Sequence, residues 1–445
     1  MTPTWKATTL GTICKFQAGN GFPKDLQGDI DGEYPVAKVS DMNLAGNELF
    51  IINANNWLSK KAVDQAFKLH QPGAVVFAKI GIALTTNRRR ILVRPTVIDN
   101  NMMSATCTKD IDPRWFYSLL TTLDFNEISS GSALPFLTVR DLSKIPICLP
   151  PLPEQRAIAA TLGALDDKIE LNRKMNATLE AMARALFRDW FVDFGPTRAK
   201  MEGRAPYLSP DLWSLFPDRL DDEGKPEGWE VVSFGSLLDS TIGGDWGKGE
   251  ADAKHTVAVA IVRGTDIPDL LIGGSNRVPR RFVEAKKLEK RKLEPGDIVI
   301  EVSGGSPTQP TGRSLYFTQA MLDRFSVPLL PTSFCKRFRP KSIDLGLILT
   351  QHLQNLYAEG GTWEYQNQST GIANFQTSHF LEAERVVVPS MAVLKAFSDF
   401  CMPIMEKMQS KESQFLSQTR DLLLPRLMSG ELRVAEAERL ASEVA

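Results

Sequence analysis

Few residues have the type and spacing of a reaction centre, and one trio has the order of a metal-dependent nuclease. Pro268-Asp269 is followed by Glu284-Ala285-Lys286. Asp269 and Glu284 would hold a magnesium ion there, and Lys286 would steady the attacking water. The pattern is short and degenerate. It also falls beside the charged run Arg280 to Lys292, which reads equally well as a solvated face. Gly243-Gly244-Asp245-Trp246-Gly247-Lys248 has neither the spacing nor the Ser/Thr of a nucleotide-binding loop. His70, His255, His352 and His379 share no metal-ligand spacing, and each reads as a surface or loop residue. The chain has no Asn-Pro-Pro-aromatic sequence and no glycine-rich methyl-donor loop. The sequence therefore calls for no cofactor, no metal and no catalytic residue of its own, with the Asp269, Glu284, Lys286 nuclease as the alternative.

What remains is charge. Residues 270–340 hold 13 Lys and Arg against 6 Asp and Glu. Arg280, Arg281, Lys286 and Lys287 lie there, and Asn87, Arg88, Arg89 and Arg90 form the matching concentration earlier in the chain. Such clusters suit phosphate contact, and Arg with Asn suits base edges in the major groove. These eight residues are the candidate DNA-binding set; the plainer reading of any one of them is a solvated charge.

The elements that carry the clusters repeat. Trp5 precedes Leu10-Gly11 as Trp229 precedes Phe234-Gly235. Val36 to Met42 resembles Ile261 to Ile267, and Pro72-Gly73-Ala74-Val75-Val76 resembles Pro295-Gly296-Asp297-Ile298-Val299. Gly131 and then Ile145 to Pro150 resemble Gly371 and then Val386 to Pro389. Four matches in one order are hard to obtain by chance and predict two similar domains. Short β-branched runs between turn residues give each domain a sheet with a few short helices. The length of 445 residues allows two to four domains, and 43% hydrophobic with 24% charged residues is the ordinary globular range. A net charge of -1 excludes a uniformly basic coat. Five scattered cysteines without a CxxC argue against a disulfide framework and point to a reducing cytoplasm. No apolar run is long enough to span a membrane, and the N-terminus lacks the features of a signal peptide.

A long helix follows each repeat. After Pro150-Pro151-Leu152-Pro153, steps of four and three give Ile158, Leu162, Leu165, Ile169, Asn172, Asn176, Leu179, Ala183, Leu186 and Trp190. That seam predicts a helix roughly 48 Å long between its end members. A second seam reads Leu394, Phe397, Cys401, Ile404, Met408, Lys411, Phe415, Gln418 and Leu422. Pro403 should kink this helix or mark its start. Polar members in both seams suit an antiparallel two-helix coiled coil. Between the first helix and the second repeat lies a Pro/Gly-rich connector whose Trp213, Leu215 and Phe216 imply docking.

The chain resembles, over nearly its whole length, the specificity subunits of type I DNA restriction-modification systems. The resemblance rests on Leu149-Pro150-Pro151-Leu152-Pro153-Glu154-Gln155-Arg156, on Trp190-Phe191-Val192-Asp193-Phe194, on Phe216-Pro217, on Pro226-Glu227-Gly228-Trp229-Glu230 and on the stretch Leu424 to Glu431. One departure is Ser390-Met391-Ala392 after Pro389, where a second Pro-rich Glu-Gln opening would stand. The resemblance implies an α+β fold: two repeated α/β target-recognition domains separated by a pair of long antiparallel coiled-coil helices with pseudo-twofold symmetry. Its domains would be 1–150, helix 151–194, connector 195–226, 227–389, and 390–445 for the second helix and tail. Each repeat would read one half of a bipartite target in double-stranded DNA. The helices would set the spacer and dock two modification subunits, which carry out S-adenosylmethionine-dependent adenine methylation. Two restriction-translocase subunits would join where restriction accompanies methylation. The complex would be cytoplasmic, with no membrane partner, and this chain would not itself be an enzyme.

Overall fold

Each repeat begins and ends in one pair of strands. Lys6–Thr9 runs antiparallel to Pro146–Leu149, with Lys6 opposite Leu149. Glu230–Ser233 runs antiparallel to Arg385–Val388, with Glu230 opposite Val388. The computed structural model describes residues 5–442 except 45, 132–133, 272–277, 305–308 and 370–371; Gly371, matched above to Gly131, lies outside the described residues. The chain divides into two compact units: Met1–Lys168 with Leu416–Ala445, and Ile169–Phe415.

The sheets in the two units have the same order. In the first unit it is Cys14–Ala18, Met102–Cys107, Val75–Ala78, Arg89–Leu92 and Phe50–Ile51. In the second it is Leu238–Gly243, Cys335–Pro340, Ile298–Glu301 and Ser314–Tyr316. The central strands Val75–Ala78 and Ile298–Glu301 are buried throughout, which is why each opens on an apolar run after a Pro-Gly turn, the second closing on Glu301. Gly73 and Gly296 take φ of +82° and +93° in those turns, a region open to glycine.

A smaller sheet also recurs. Tyr34–Ala37 lies antiparallel to Trp57–Leu58 and parallel to Val97–Ile98. Val257–Val262 lies antiparallel to Arg280–Val283 and parallel to Leu329–Pro331. A Cβ on Gly19 would stand 1.9 Å from Asp99 O, and one on Gly244 would stand 2.0 Å from Pro331 O. Only glycine lets those two segments come so close.

Helix α1, Leu152–Phe187, starts immediately after the first closing strand pair. Its opening motif is tied to the domain. Gln155 Oε1 accepts from Asp112 N at 3.0 Å, Gln155 Nε2 donates to Pro150 O at 2.9 Å, and Glu154 accepts from the Trp5 indole at 3.0 Å. Helix α2, Met391–Met408, starts after the second closing pair, and the Ser390 hydroxyl caps it by accepting from Val393 N. The departure at Ser390 is thus a different cap on the same helix start.

The α1 seam holds: none of its ten positions is exposed. The second seam holds only to Met408. The chain leaves the helix at residues 409–411 and resumes as α3, Glu412–Met428. The apolar positions shift by one, so Leu416, Leu423 and Leu427 are buried while Lys411, Phe415, Gln418 and Leu422 face solvent. Gln409 explains the break. Its Oε1 accepts from Thr318 N and Oγ1 at 3.0 and 2.8 Å, and its Nε2 donates to Tyr316 O at 2.7 Å. Pro403 lies inside α2 and marks neither end of it.

Within each unit the long helices run antiparallel. In the second, Asn176 Nδ2 donates to Met408 O at 3.2 Å, and the Phe187 and Phe397 rings stand 6.3 Å apart. In the first, Arg420 meets Asp166 at 2.9 Å and Arg433 meets Glu154 at 3.8 Å. The connector docks on the second unit: Phe216 is buried, its ring 4.9 Å from that of Trp190.

One histidine departs from the surface placement. His70 is buried in the first unit, and its backbone bridges to Thr96. Gln17 Nε2 stands 3.3 Å from its Nε2, and its Nδ1 lies 2.7 Å from Ser104 Oγ. That setting fits a neutral ring accepting from Gln17 and donating to Ser104. Burial pulls the His70 pKa down to about 4. The unfolded chain binds this proton near pH 6.5 and the folded chain only near pH 4, so stability falls as pH drops through that window. The loss should be on the order of 2 kcal/mol at pH 5. Thermal unfolding of His70→Gln should show a shallower pH dependence between 6.5 and 4 than the wild type; equal slopes would contradict it.

Candidate nucleic-acid interface

The first basic cluster is largely spent inside its own domain. Asn87 has φ +52° and sits in the turn before the strand Arg89–Leu92. Its Oδ1 accepts from Phe125 N at 2.9 Å. Arg89 points inward and is 2% exposed. Its guanidinium lies 3.8 Å from the Phe125 ring centre and donates to the Asn87 and Leu123 carbonyls. Burial pulls its pKa down to about 10, against the pull of Tyr117 and Asp124. Arg90 donates to Met42 O at 3.0 Å and Arg89 O at 2.7 Å, and burial lowers its pKa too. Arg88 is half-exposed, and its side chain makes no hydrogen bond or ion pair among the described residues. Of the four residues, Arg88 alone keeps an uncommitted charged side chain. Alternation along the strand explains this, because Arg89 and Ile91 share the inward face.

The second cluster is outward-facing and braced. Arg280 and Arg281 lie on the strand Arg280–Val283; Lys286 and Lys287 lie on the following helix Ala285–Arg291. Arg280 and Lys286 are exposed, with no side-chain partner among the described residues. Arg281 lies over the Trp246 ring at 4.3 Å and donates to Trp246 O at 3.3 Å. Lys287 pairs with Asp245 at 2.8 Å, a bond that raises the lysine pKa. Burial pushes the Asp245 carboxyl up, but the bond and charge of Lys287, the Gly247 N–H and the charge of Arg291 together leave the pKa lowered. Arg291 Nε donates to Gly243 O at 3.0 Å. Three basic side chains thus lace the Gly243–Lys248 segment to the basic strand and helix.

Beside this brace is a turn that occurs in both units. Lys38 and Arg263 each follow a strand whose neighbour runs parallel to it. Asp41 caps the first turn by accepting from Lys38 N at 2.8 Å. Asp266 caps the second by accepting from Arg263 N at 2.9 Å, and it also holds the Arg263 guanidinium at 2.7 Å. Both aspartates are fully buried. The second turn opens on a cleft of about 410 Å3, lined by Trp246, Arg263, Glu301, Ser303, Thr332 and Phe334 among others. Glu301 is buried and held by both arms of Arg313 at 2.7 and 2.9 Å. Trp246 and Phe334 are exposed.

Sequence reasoning missed this cleft. The repeated Val36–Met42 and Ile261–Ile267 segments located its turn, but Trp246, Thr332 and Phe334 meet there only through the fold. The nuclease trio gains no support. Glu284 faces His255 at 3.8 Å and Lys287 at 3.7 Å, and Lys286 points to solvent. Among the described residues no three His, Cys, Asp or Glu side chains group as a metal-ion site. Nor, among the described residues, is any helix long and apolar enough to cross a membrane.

Comparison with known proteins gives a consistent result. Residues 3–181 match the family described as "Type I restriction modification DNA specificity domain". The chain is 26% identical over 429 residues to the Type I restriction enzyme MjaIX specificity subunit of Methanocaldococcus jannaschii, covering 89% of this chain and 87% of that one. It is 26% identical over 484 residues to the Type I restriction enzyme HindI specificity subunit of Haemophilus influenzae, covering 91% and 98%. The solved S subunit of a type I restriction-modification system from M. genitalium aligns with a TM-score of 0.49 at 15% identity, over 96% of this chain and 99% of that one.

The two neighbouring arginines should separate cleanly. Arg89→Met strands buried carbonyls and removes the stack on Phe125, so it should cost roughly 2–4 kcal/mol in denaturant unfolding. Arg88→Gln should change stability by less than about 0.5 kcal/mol. Equal losses would show that Arg88 is also part of the core.

Proposed function

We infer what this chain does from the domain it carries: it is a specificity subunit of a type I restriction-modification system. The finer reading is that each repeat recognises one half of a bipartite DNA target. The observation that carries it is the duplicated sheet, in a repeat whose first and last strands pair with each other and which a long helix follows. One such domain suits one half-site, and two in one chain suit two half-sites.

The contact residues proposed are Arg88 with the first half-site and Arg280, Arg281, Lys286 and Lys287 with the second. Exposed cations of this kind neutralise phosphates and release counterions, while a bidentate arginine can distinguish guanine. Asn87, Arg89 and Arg90 hold the first cluster in shape and act on DNA only through it.

The helices act as a ruler. The 36 residues of α1 rise about 54 Å, and DNA rises about 3.4 Å per base pair, which bounds the span at about 16 base pairs. Half-sites about 34 Å apart face the same side of the duplex. The helices also dock two modification subunits, which supply the methyl donor and the transfer to adenine. Exposed Leu171 and Phe415, on α1 and α3, give apolar surface for such a contact. The chain alone transfers no methyl group.

Deletion of one heptad from α1 and seven residues from α3 should keep the seam in register while shortening each helix by roughly 10 Å. Sequencing the methylated sites of a host carrying this variant should return the same two halves with a spacer about three base pairs shorter. An unchanged spacer in a folded variant would contradict the ruler.

A further inference from the structure

We propose that the cleft beside Trp246 receives one nucleobase swung out of the second half-site. This rests on the reading of the chain as a DNA-specificity subunit and names what one of its surfaces does. Three features of the cleft point to such an occupant.

Its aromatic side chains are unusual for a protein surface. Trp246 and Phe334 are both exposed, yet they line one concavity of about 410 Å3. A cavity of that size accommodates a small planar ligand. Aromatic side chains gain by stacking on a base, and every base has a face that allows it.

Its two charged side chains are committed. Arg263 is held by Asp266, and Glu301 by Arg313. Among the described lining side chains, the Thr332 hydroxyl is the one that is buried and without a hydrogen-bond partner. A buried hydroxyl left unpaired is costly, so its retention at a cleft points to an occupant that supplies the missing bond. The edge of a nucleobase offers both donors and acceptors.

Its rim is basic. Arg281 lies over the Trp246 ring, and exposed Arg280 precedes it on the same strand. A phosphate backbone held by that strand would bring its bases to the cleft mouth. Unstacking one base is affordable where the backbone is gripped on a positive surface and the base is restacked on an aromatic ring.

The test uses this chain assembled with its modification subunits, and the target duplex found by sequencing methylated sites. Each position of the second half-site carries 2-aminopurine or pyrrolo-cytosine in turn. We expect a several-fold fluorescence rise at one position on binding, abolished by Trp246→Ala. Thr332→Val removes the unpaired hydroxyl without changing side-chain shape, so its thermal midpoint should equal or exceed that of the wild type. It should nevertheless weaken binding by roughly ten-fold on the intact duplex, and not on a duplex abasic at the responding position. Tight binding with every position silent, or wild-type affinity in both variants, overturns this inference alone. Failure of the wild-type assembly to prefer any bipartite duplex overturns the parent reading and this inference with it.

Discussion

The structure depends on the pairing of each repeat's first strand with its last. Lys6–Thr9 on Pro146–Leu149 and Glu230–Ser233 on Arg385–Val388 bring the entry and exit of each domain to one place. Each pair puts a helix start within three residues of the closing strand, at Leu152 and at Met391. The first junction is further fixed by Gln155 and Glu154, whose hydrogen bonds reach Asp112 and Trp5. The start of α1 is thereby held on the domain that precedes it.

Within the domains, the distribution of charge separates internally paired side chains from solvent-facing ones. Arg89, Arg313 and Arg339 are spent on internal partners: an aromatic ring and carbonyls for the first, Glu301 for the second, Asp297 for the third. The buried aspartates at 41 and 266 are used likewise, each closing a turn at the end of a parallel strand pair. Arg88, Arg280 and Lys286 face solvent without such ties. A net charge of -1 therefore conceals local clusters of exposed cations.

Much of this was legible in the sequence because repetition marks it. The Trp, Asp, Pro-Gly and Pro landmarks recur in order, and each falls at the same place in its sheet. The α1 seam was legible because heptad spacing leaves little freedom over so many turns. The break at residues 409–411 was not. Lys411 and Phe415 continue the arithmetic, and only the buried hydrogen bonds of Gln409 to Tyr316 and Thr318, some 90 residues earlier, show why the helix stops. The polar run Gln409-Ser410-Lys411-Glu412 was the available signal. Arg89 reads as a surface charge in the sequence because its partner Phe125 is 36 residues away, and His70 as a surface residue because Ser104 and Gln17 are 34 and 53 residues away. The cleft at Trp246 gathers residues from four separate segments, so no local pattern could announce it.

That two domains read two half-sites independently is tested most directly by exchanging one of them. Residues 5–150 would be replaced by the matching part of a relative with a different first half-site, and methylated sites of the host sequenced. A modular reader changes one half of the target and keeps both the other half and the spacer. Change in both halves, from a chimera that still assembles and methylates, would show that the repeats do not read DNA separately.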